Sequence, residues 1–245
     1  MITLVTGGAQ GIGWATAELL ASEGHKICIF DIAGAEEAAA RFESETVFGF
    51  TGDVTKVADV DNAIAAMIDR FGSIDCVVTS AGIVKVAPAL DVEVGDFEQT
   101  LSTNVTGSFL PAQRAARVMA KNGGGNIIFI GSVYGSVGAP QRTAYCASKG
   151  AVHLMTQSLA IEWGPLGIRV NSVAPTGTRT PMIQDLIDRG VYKLKAVEAR
   201  TPLGRLAEPN EVAAAVSFLA SPQASMVNGI ILPVDGGWIA NGYIV

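Results

Sequence analysis

Short runs of almost wholly apolar residues alternate along this chain with longer stretches in which apolar positions recur at helical spacing. The short runs predict strands over Ile2–Thr6, Lys26–Phe30, Thr46–Phe50, Ile74–Thr79, Gly125–Ile130, Ile168–Ala174 and Gly229–Val234. Most lack the polar alternation of a half-exposed strand, so both of their faces are expected to be covered. The longer stretches predict helices over Ile12–Ser22, Ala35–Glu43, Val57–Phe71, Phe97–Lys121, Ala144–Trp163 and Pro209–Ala220. Gly24, Gly72 and Gly164 stand just past three of them, where a left-handed residue ends a helix. Strand and helix in alternation make an α/β chain, a parallel sheet with helices on both faces. No repeat, low-complexity tract or linker divides it, which predicts one domain over 1–245. The segment from Pro175 to Glu208 resists this scheme, being rich in Thr, Pro and Gly with one short amphipathic piece, Met182–Asp188. An insertion of that length reads as a substrate lid over 176–208, the alternative being a surface excursion without function.

Composition constrains the surface. Of 245 residues, 49% are hydrophobic and 16% are charged, against about 25% charged in a typical globular chain. Disorder is excluded, and apolar material is left over for a partner subunit to cover. The 17 basic and 23 acidic side chains give a net charge of −6, which argues against nucleic acid or an anionic membrane as partner. Cys28, Cys76 and Cys146 are odd in number and follow no metal-ligand spacing, so they read as free thiols in a reducing compartment, the first two as small buried hydrophobes. The opening Met1–Thr6 lacks the pattern of a signal peptide. The longest charge-free stretch, Val212–Val234, is broken by Pro222, Gln223, Asn228, Gly229 and Pro233 and makes a poor membrane span. The expected location is the cytoplasm.

Two constellations carry chemistry. The first strand runs into Thr6-Gly7-Gly8-Ala9-Gln10-Gly11-Ile12-Gly13 and then a helix. Glycines at this junction let the backbone approach a pyrophosphate at the helix N-terminus, so Gly7, Gln10, Gly11, Ile12 and Gly13 are the expected cradle of a dinucleotide. A merely structural turn is the alternative. Asp31 ends the second strand, where an acidic residue would accept hydrogen bonds from the adenosine ribose and repel a ribose phosphate. Neither Gln10 nor Ile32 supplies a compensating cation, so NAD is preferred to NADP. A helix-capping Asp after a strand is the alternative for Asp31. Asp53, with Val54, closes the third unit and could meet the adenine or simply cap the following turn.

The second constellation is Tyr145 and Lys149, four apart on a predicted helix and therefore on one face. A free tyrosine titrates near about 10, and making its phenolate available near neutrality requires about 3 to 4 kcal/mol. A cation at about 4 Å contributes about 4 kcal/mol at an effective dielectric of 20. In isolation Tyr-x-x-x-Lys is common and reads as a solvated face. Here a strand ending in Ile130-Gly131-Ser132 and a glycine-rich link, Gly135 to Arg142, lead directly to it.

At this point the sequence resembles the short-chain dehydrogenase/reductase family, over essentially its whole length. The resemblance rests on Thr6-Gly7-x-x-x-Gly11-x-Gly13, Asp53, Ala81-Gly82, Asn104, Ser132, Tyr145-x-x-x-Lys149, Asn171, Pro175 with Thr180, and Val234-Asp235-Gly236-Gly237. It implies a Rossmann-type three-layer αβα sandwich with a seven-stranded parallel sheet, and an NAD-dependent enzyme interconverting a secondary alcohol and its ketone. It further implies a tetrad. Ser132 would hold the substrate oxygen, Tyr145 would exchange its proton, Lys149 would lower the Tyr145 pKa and hold the nicotinamide ribose, and Asn104 would position a water. Cofactor contacts would come also from Ala81, Gly82, Pro175, Thr178 and Thr180. Without the family, Ser132 and Asn104 read as cap and turn residues, and Asn104-Val105-Thr106 as an idle glycosylation sequon. The chain departs from the family pattern in Thr79-Ser80-Ala81-Gly82, where a hydroxyl replaces an amide tie between strands, and in Pro175-Thr176-Gly177, where the glycine moves by one.

The expected substrate pocket combines Val133, Tyr134, Gln141, Arg142 and Cys146 with Met182, Ile183, Leu186 and Tyr192 of the lid, a mixed lining suited to a polyol, a sugar derivative or a hydroxy acid. Arg142 could pair with a substrate carboxylate or stay solvated; Lys193, Lys195 and Arg200 read first as a solvated face. A carrier-bound 3-oxoacyl ketoreductase and a non-catalytic dinucleotide-binding regulator are the rival readings. The resemblance implies a homotetramer built on the helices Phe97–Lys121 and Ala144–Trp163. The apolar ending Trp238-Ile239-Ala240-Asn241-Gly242-Tyr243-Ile244-Val245 supports subunit contact independently.

Overall fold

The computed structural model describes residues 1–242, so Tyr243, Ile244 and Val245 of the apolar ending lie outside the described residues. Seven strands, β1 (Ile2–Thr6), β2 (Lys26–Asp31), β3 (Val47–Thr51), β4 (Cys76–Thr79), β5 (Gly125–Ile130), β6 (Ile168–Pro175) and β7 (Ile231–Val234), form one sheet in the order β3-β2-β1-β4-β5-β6-β7. Every pairing is parallel. This is the expected three-layer Rossmann-type sandwich.

Alternate residues of each strand enter opposite cores. Leu4, Cys28, Phe30, Ile127 and Phe129 face α3 (Val57–Phe71), α5 (Gly107–Met119) and α6 (Thr143–Trp163). Val5, Ile27, Ile29, Ile128 and Ile130 face α1 (Gly11–Ser22), α2 (Ala35–Ala39) and α9 (Pro209–Ala220). That two-sided burial is why the strands read as unbroken apolar runs. Cys28 and Cys76 are fully buried among them as expected, and desolvation pushes the Cys76 thiol up to about 12. The order of strands reverses at β1 and β4, whose neighbouring helices leave on opposite faces. A crevice opens there beyond the strands' carboxyl ends.

Four expectations are corrected. The helix expected over Phe97–Lys121 is three pieces: α4 (Val94–Leu101), a π-helical turn at Ser102–Thr106, and α5. Pro111 lies inside α5 and lacks the N–H that a continuous ladder would need. The wider turn carries Asn104, whose backbone carbonyl accepts from the Ser108 hydroxyl at 2.8 Å. The helix from Ala35 ends at Ala39, four residues short of the expected end. Gly164 has φ −53° and opens a tight turn, so the left-handed residue there is Gly167, at φ 76°. Finally, the expected lid segment, 176–208, holds two helices, α7 (Pro181–Asp188) and an unexpected α8 (Leu194–Arg200).

Candidate active site

The crevice at the switch point is a cavity of about 550 Å³. Its walls come from the loops after β1, β2, β3, β4, β5 and β6 and from the start of the lid. At one end the chain turns from β1 into α1. Gly7 (φ 63°) and Gly11 (φ 58°) are left-handed, and a Cβ on Gly13 would lie 2.0 Å from the Gly7 carbonyl oxygen. Only glycine allows the loop to fold this tightly against the helix. Gln10, the residue before α1, caps it with its backbone and makes no side-chain bond to it, and Gly7, Gln10, Gly11 and Ile12 line the cavity. A helix N-terminus with no side-chain cap, facing a polar cavity, is a fitting place for a pyrophosphate. Gly13 does not line the cavity; it makes the turn possible from behind.

Asp31 lines the same end and does not cap α2, whose N-cap is Gly34. One of its carboxylate oxygens accepts from the Ala9 N–H at 3.0 Å and the other from the Ile32 N–H at 2.8 Å. The carboxylate is thus held against the glycine loop with acceptor capacity left on each oxygen. Asp53 caps its turn and also faces the cavity. Oδ1 accepts from the Thr55 N–H and hydroxyl at 2.8 and 2.7 Å, capping the turn, while Asp53 and Val54 line the cavity. Ala81, Gly82, Pro175, Thr178 and Thr180 line it too. Thr180 also caps α7, its hydroxyl accepting from the Ile183 N–H at 3.4 Å. Within Thr79-Ser80, the Thr79 Oγ1 is buried without a hydrogen-bond partner among the described residues and makes no tie. Thr6 makes the link instead, accepting from the Ala81 N–H at 3.3 Å on Oγ1.

At the other end Ser132, Tyr145 and Lys149 meet on the cavity wall. Ser132 follows β5 in extended conformation, and its hydroxyl oxygen accepts from the Tyr134 N–H at 3.2 Å. That leaves the hydroxyl proton free to donate, and the Ser132 hydroxyl lies on the side of Tyr145 where it opposes the rise in the phenol's pKa. Lys149 is buried, its ammonium donating to the Ile130 carbonyl at 2.7 Å and lying 5.7 Å from the centre of the Tyr145 ring. Desolvation pushes Lys149 down to about 8 and Tyr145 up to about 12. The expected lowering of Tyr145 is therefore not present in the free chain, where desolvation outweighs the Ser132 hydrogen bond that opposes it.

Asn104 is fully buried and does not line the cavity. Its amide donates to the Ile83 carbonyl at 2.9 Å and the Ser148 hydroxyl at 3.0 Å, and its oxygen accepts from the Ile83 N–H at 2.8 Å. The side chain locks the π-turn to the loop after β4 and to α6. No glycan could reach it.

The expected substrate residues separate. Met182 and Ile183 line the cavity, whereas Val133 and Leu186 are buried and Tyr134, Gln141, Arg142, Cys146 and Tyr192 stand off it. Gln141 is left-handed at φ 61°, with its carbonyl accepting from the Ala87 N–H at 3.0 Å. Arg142 donates to the Pro140 carbonyl at 3.2 Å and to the lid carbonyl of Val191 at 3.4 Å. Gly177 leaves room for the lid: a Cβ there would sit on the Tyr192 hydroxyl, 1.9 Å away. This accounts for the displaced glycine of Pro175-Thr176-Gly177.

Several residues of the cavity were not anticipated, among them Gly52, Thr55, Ser80, Gln99, Ser102 and Thr103. Apart from Ser80, which stands in Thr79-Ser80-Ala81-Gly82, they carry no motif. More informative is His153, one turn beyond Lys149 on α6 and buried beneath the turn that holds Ser132. A Cβ on Gly131 or on Gly135 would come within 2.7 or 2.5 Å of its imidazole, so the turn closes over the ring only because both are glycine. Ser136 Oγ is 3.3 Å from Nδ1, while Nε2 is buried without a hydrogen-bond partner among the described residues. Burial, helped by the Lys149 charge, pushes His153 down to about 4.

Comparison with known proteins gives a consistent picture. Residues 7–239 match a family model described as enoyl-(acyl carrier protein) reductase. The chain is 40% identical over 243 residues to a D-threitol dehydrogenase of Mycolicibacterium smegmatis, covering 97% of this chain and 92% of the relative. A crystal structure of a 3-ketoacyl-(acyl-carrier-protein) reductase from Brucella melitensis complexed with NADH superposes with a TM-score of 0.91 at 33% identity, covering 97% of this chain and 98% of the other. ElxO with NADP bound gives a TM-score of 0.91 at 29% identity, covering 98% of both chains. Nicotinamide dinucleotides of both kinds therefore occur in this fold.

The buried imidazole predicts a pH effect. Its folded-state pKa lies below the ordinary 6.5, so between about 6.5 and 4 the unfolded chain binds more protons and stability is lost as pH falls. His25, lowered mainly by burial, acts in the same direction. Urea unfolding of His153→Gln at pH 6.5 and 4.5 should show a loss about 2 kcal/mol smaller than that of the wild type over the same interval. Equal losses would refute the neutral buried state.

Proposed function

The chain belongs to the short-chain dehydrogenase/reductase family, whose named members here act on CH–OH groups or their ketones, and on that premise we propose an NAD-dependent dehydrogenase of a small secondary alcohol, with Tyr145 as the proton acceptor. The observation that carries this reading is one cavity with the glycine loop and Asp31 at one end and Ser132, Tyr145 and Lys149 at the other. When bound, the oxidised dinucleotide supplies the hydride acceptor and a further positive charge in the cavity. The rest is the work of the chain. Gly7, Gln10, Gly11 and Ile12 would receive the pyrophosphate at the start of α1, and Asp31 would accept from the adenosine ribose hydroxyls. Asp53, Val54, Ala81, Gly82, Pro175, Thr178 and Thr180 would hold the rest of the dinucleotide.

Ser132 donates to the substrate oxygen and turns it toward Tyr145, which removes the hydroxyl proton during oxidation and returns it during reduction. The Tyr145 phenol, held near 12 in the free chain, becomes a useful base when Lys149 and the added positive charge act on it together. The Asn104 side chain ties the π-helical turn to the loop after β4 and to α6, and positioning a water beside that turn is its part in the proposed proton route. The threitol dehydrogenase relative supports a polyol or similar substrate.

A ketoreductase of carrier-bound chains is supported by the Brucella relative. Against it, three of the four lid arginines are paired with carboxylates, Arg179 with Glu198 and Glu208, Arg189 with Asp185 and Arg205 with Glu211, which lowers the positive charge available to an acidic carrier. None of the helices there is long and apolar enough to cross a membrane, in keeping with a cytoplasmic enzyme. Leu154 and Ile161, exposed seven residues apart on α6, support a homotetramer built through that helix.

Three outcomes are expected. Tyr145→Phe should lower kcat by at least about a hundredfold with the dinucleotide affinity kept, as loss of a general base does; a loss below about tenfold would remove Tyr145 from the role. A spectrophotometric panel of alcohols, polyols and hydroxy acids should show faster turnover with NAD than with NADP, and the reverse preference would overturn the reading of Asp31. Light scattering at micromolar protein should give four times the chain mass of 25.3 kDa, and a monomer would contradict the assembly.

A further inference from the structure

The apolar ending was expected to be covered by another subunit, yet its tryptophan is covered within the chain: Trp238 is 5% exposed. The turn that presents it is fixed by the buried Asp235, whose carboxylate oxygens accept from the Gly237 N–H at 2.9 Å and the Ile239 N–H at 2.8 Å. The indole then touches two parts of the site at once. It meets the Tyr134 ring edge-on, with centroids 5.6 Å apart at 89°, and the Arg200 guanidinium stands 4.0 Å from its centre. Arg200 ends the lid helix α8, and its carbonyl accepts from the Asn241 amide at 2.9 Å. Tyr134 is the residue whose N–H holds the Ser132 hydroxyl.

We infer that Trp238 is a positioning residue that couples the lid to the catalytic serine: the lid helix, through Arg200, braces the indole, and the indole braces the Tyr134 backbone that orients Ser132. A closed lid and a correctly aimed Ser132 hydroxyl are then one state, because moving Arg200 away removes the support on one face of the indole. Arg142, bonded to the Val191 carbonyl, ties the other end of the same lid segment to the loop before Tyr145. Trp238 itself does not line the cavity, so its action runs through Tyr134 and Arg200. The inference rests on the proposed hydride-transfer role only in its kinetic arm.

Hydrogen exchange of the free full-length protein, without dinucleotide, tests the bracing directly. Trp238→Ala should speed exchange of amides 187–201 and 133–136 about fivefold to thirtyfold, the range for losing a cation–π and an aromatic contact, while amides of β4 and β5 keep their protection. Trp238→Phe, which keeps a ring for both contacts, should stay within about threefold of the wild type. Exchange of both segments within about twofold of wild type in Trp238→Ala, or equal acceleration of the strands, would overturn the inference. In turnover, Trp238→Ala should lower kcat/KM about tenfold in the wild type but less than about twofold in a Ser132→Ala background. Equal losses in both backgrounds would overturn the route through Ser132. Absence of any turnover would count against the dehydrogenase reading alone, since the exchange arm is read without substrate.

Discussion

The hydrogen bond from the Lys149 ammonium to the Ile130 carbonyl is the contact on which the site's arrangement depends. It places a charge in the interior, which is costly unless the charge is well bonded, at the point where β5 stops and the chain must turn. By joining α6 to the end of that strand it fixes where Tyr145 stands relative to Ser132, since Tyr145 and Lys149 share a helical face and Ser132 lies two residues past Ile130. The strand end, the helix and the cavity wall are thereby one rigid unit, and the low pKa of the lysine follows from the same burial that makes the bond strong.

Around that unit the chain is packed for closeness rather than for bulk. The His153 imidazole occupies the space that side chains at Gly131 and Gly135 would need, so the turn carrying Ser132 lies directly on the ring. Tyr134 leans on Trp238, and Trp238 on the lid. At the opposite end of the cavity Asp31 holds the glycine loop through the Ala9 N–H. The two ends of the cavity are thus each built from a strand terminus, a tight glycine turn and a helix start, and the switch point of the sheet sets them across one crevice.

The readable part of this protein was the part set by local chemistry. Tyr145-x-x-x-Lys149, the glycine loop and Asp31 could be placed because a helix repeats every three to four residues and a strand-turn-helix needs glycine where the backbone closes in. The π-turn at Ser102–Thr106 was hidden because a helical period continues through it; only Pro111 hinted at a break. Helix α8 was hidden for the opposite reason, since Lys193, Lys195 and Arg200 gave it the look of a solvated charged face. The Arg200 guanidinium in fact stacks on an indole supplied from 38 residues further on.

By itself, then, the sequence determined the alternation of strands and helices, the two-sided core and the identity of the groups that meet in the cavity, because burial and backbone geometry leave their marks on neighbouring residues. Only the tertiary structure decided the state and partnership of those groups. It turned Asn104 inward as a lock, left the Thr79 hydroxyl without a partner among the described residues, raised Tyr145 and lowered Lys149, and folded Trp238 onto the lid. Each of these depends on which distant segment excludes water from a given atom, and sequence spacing carries no record of that.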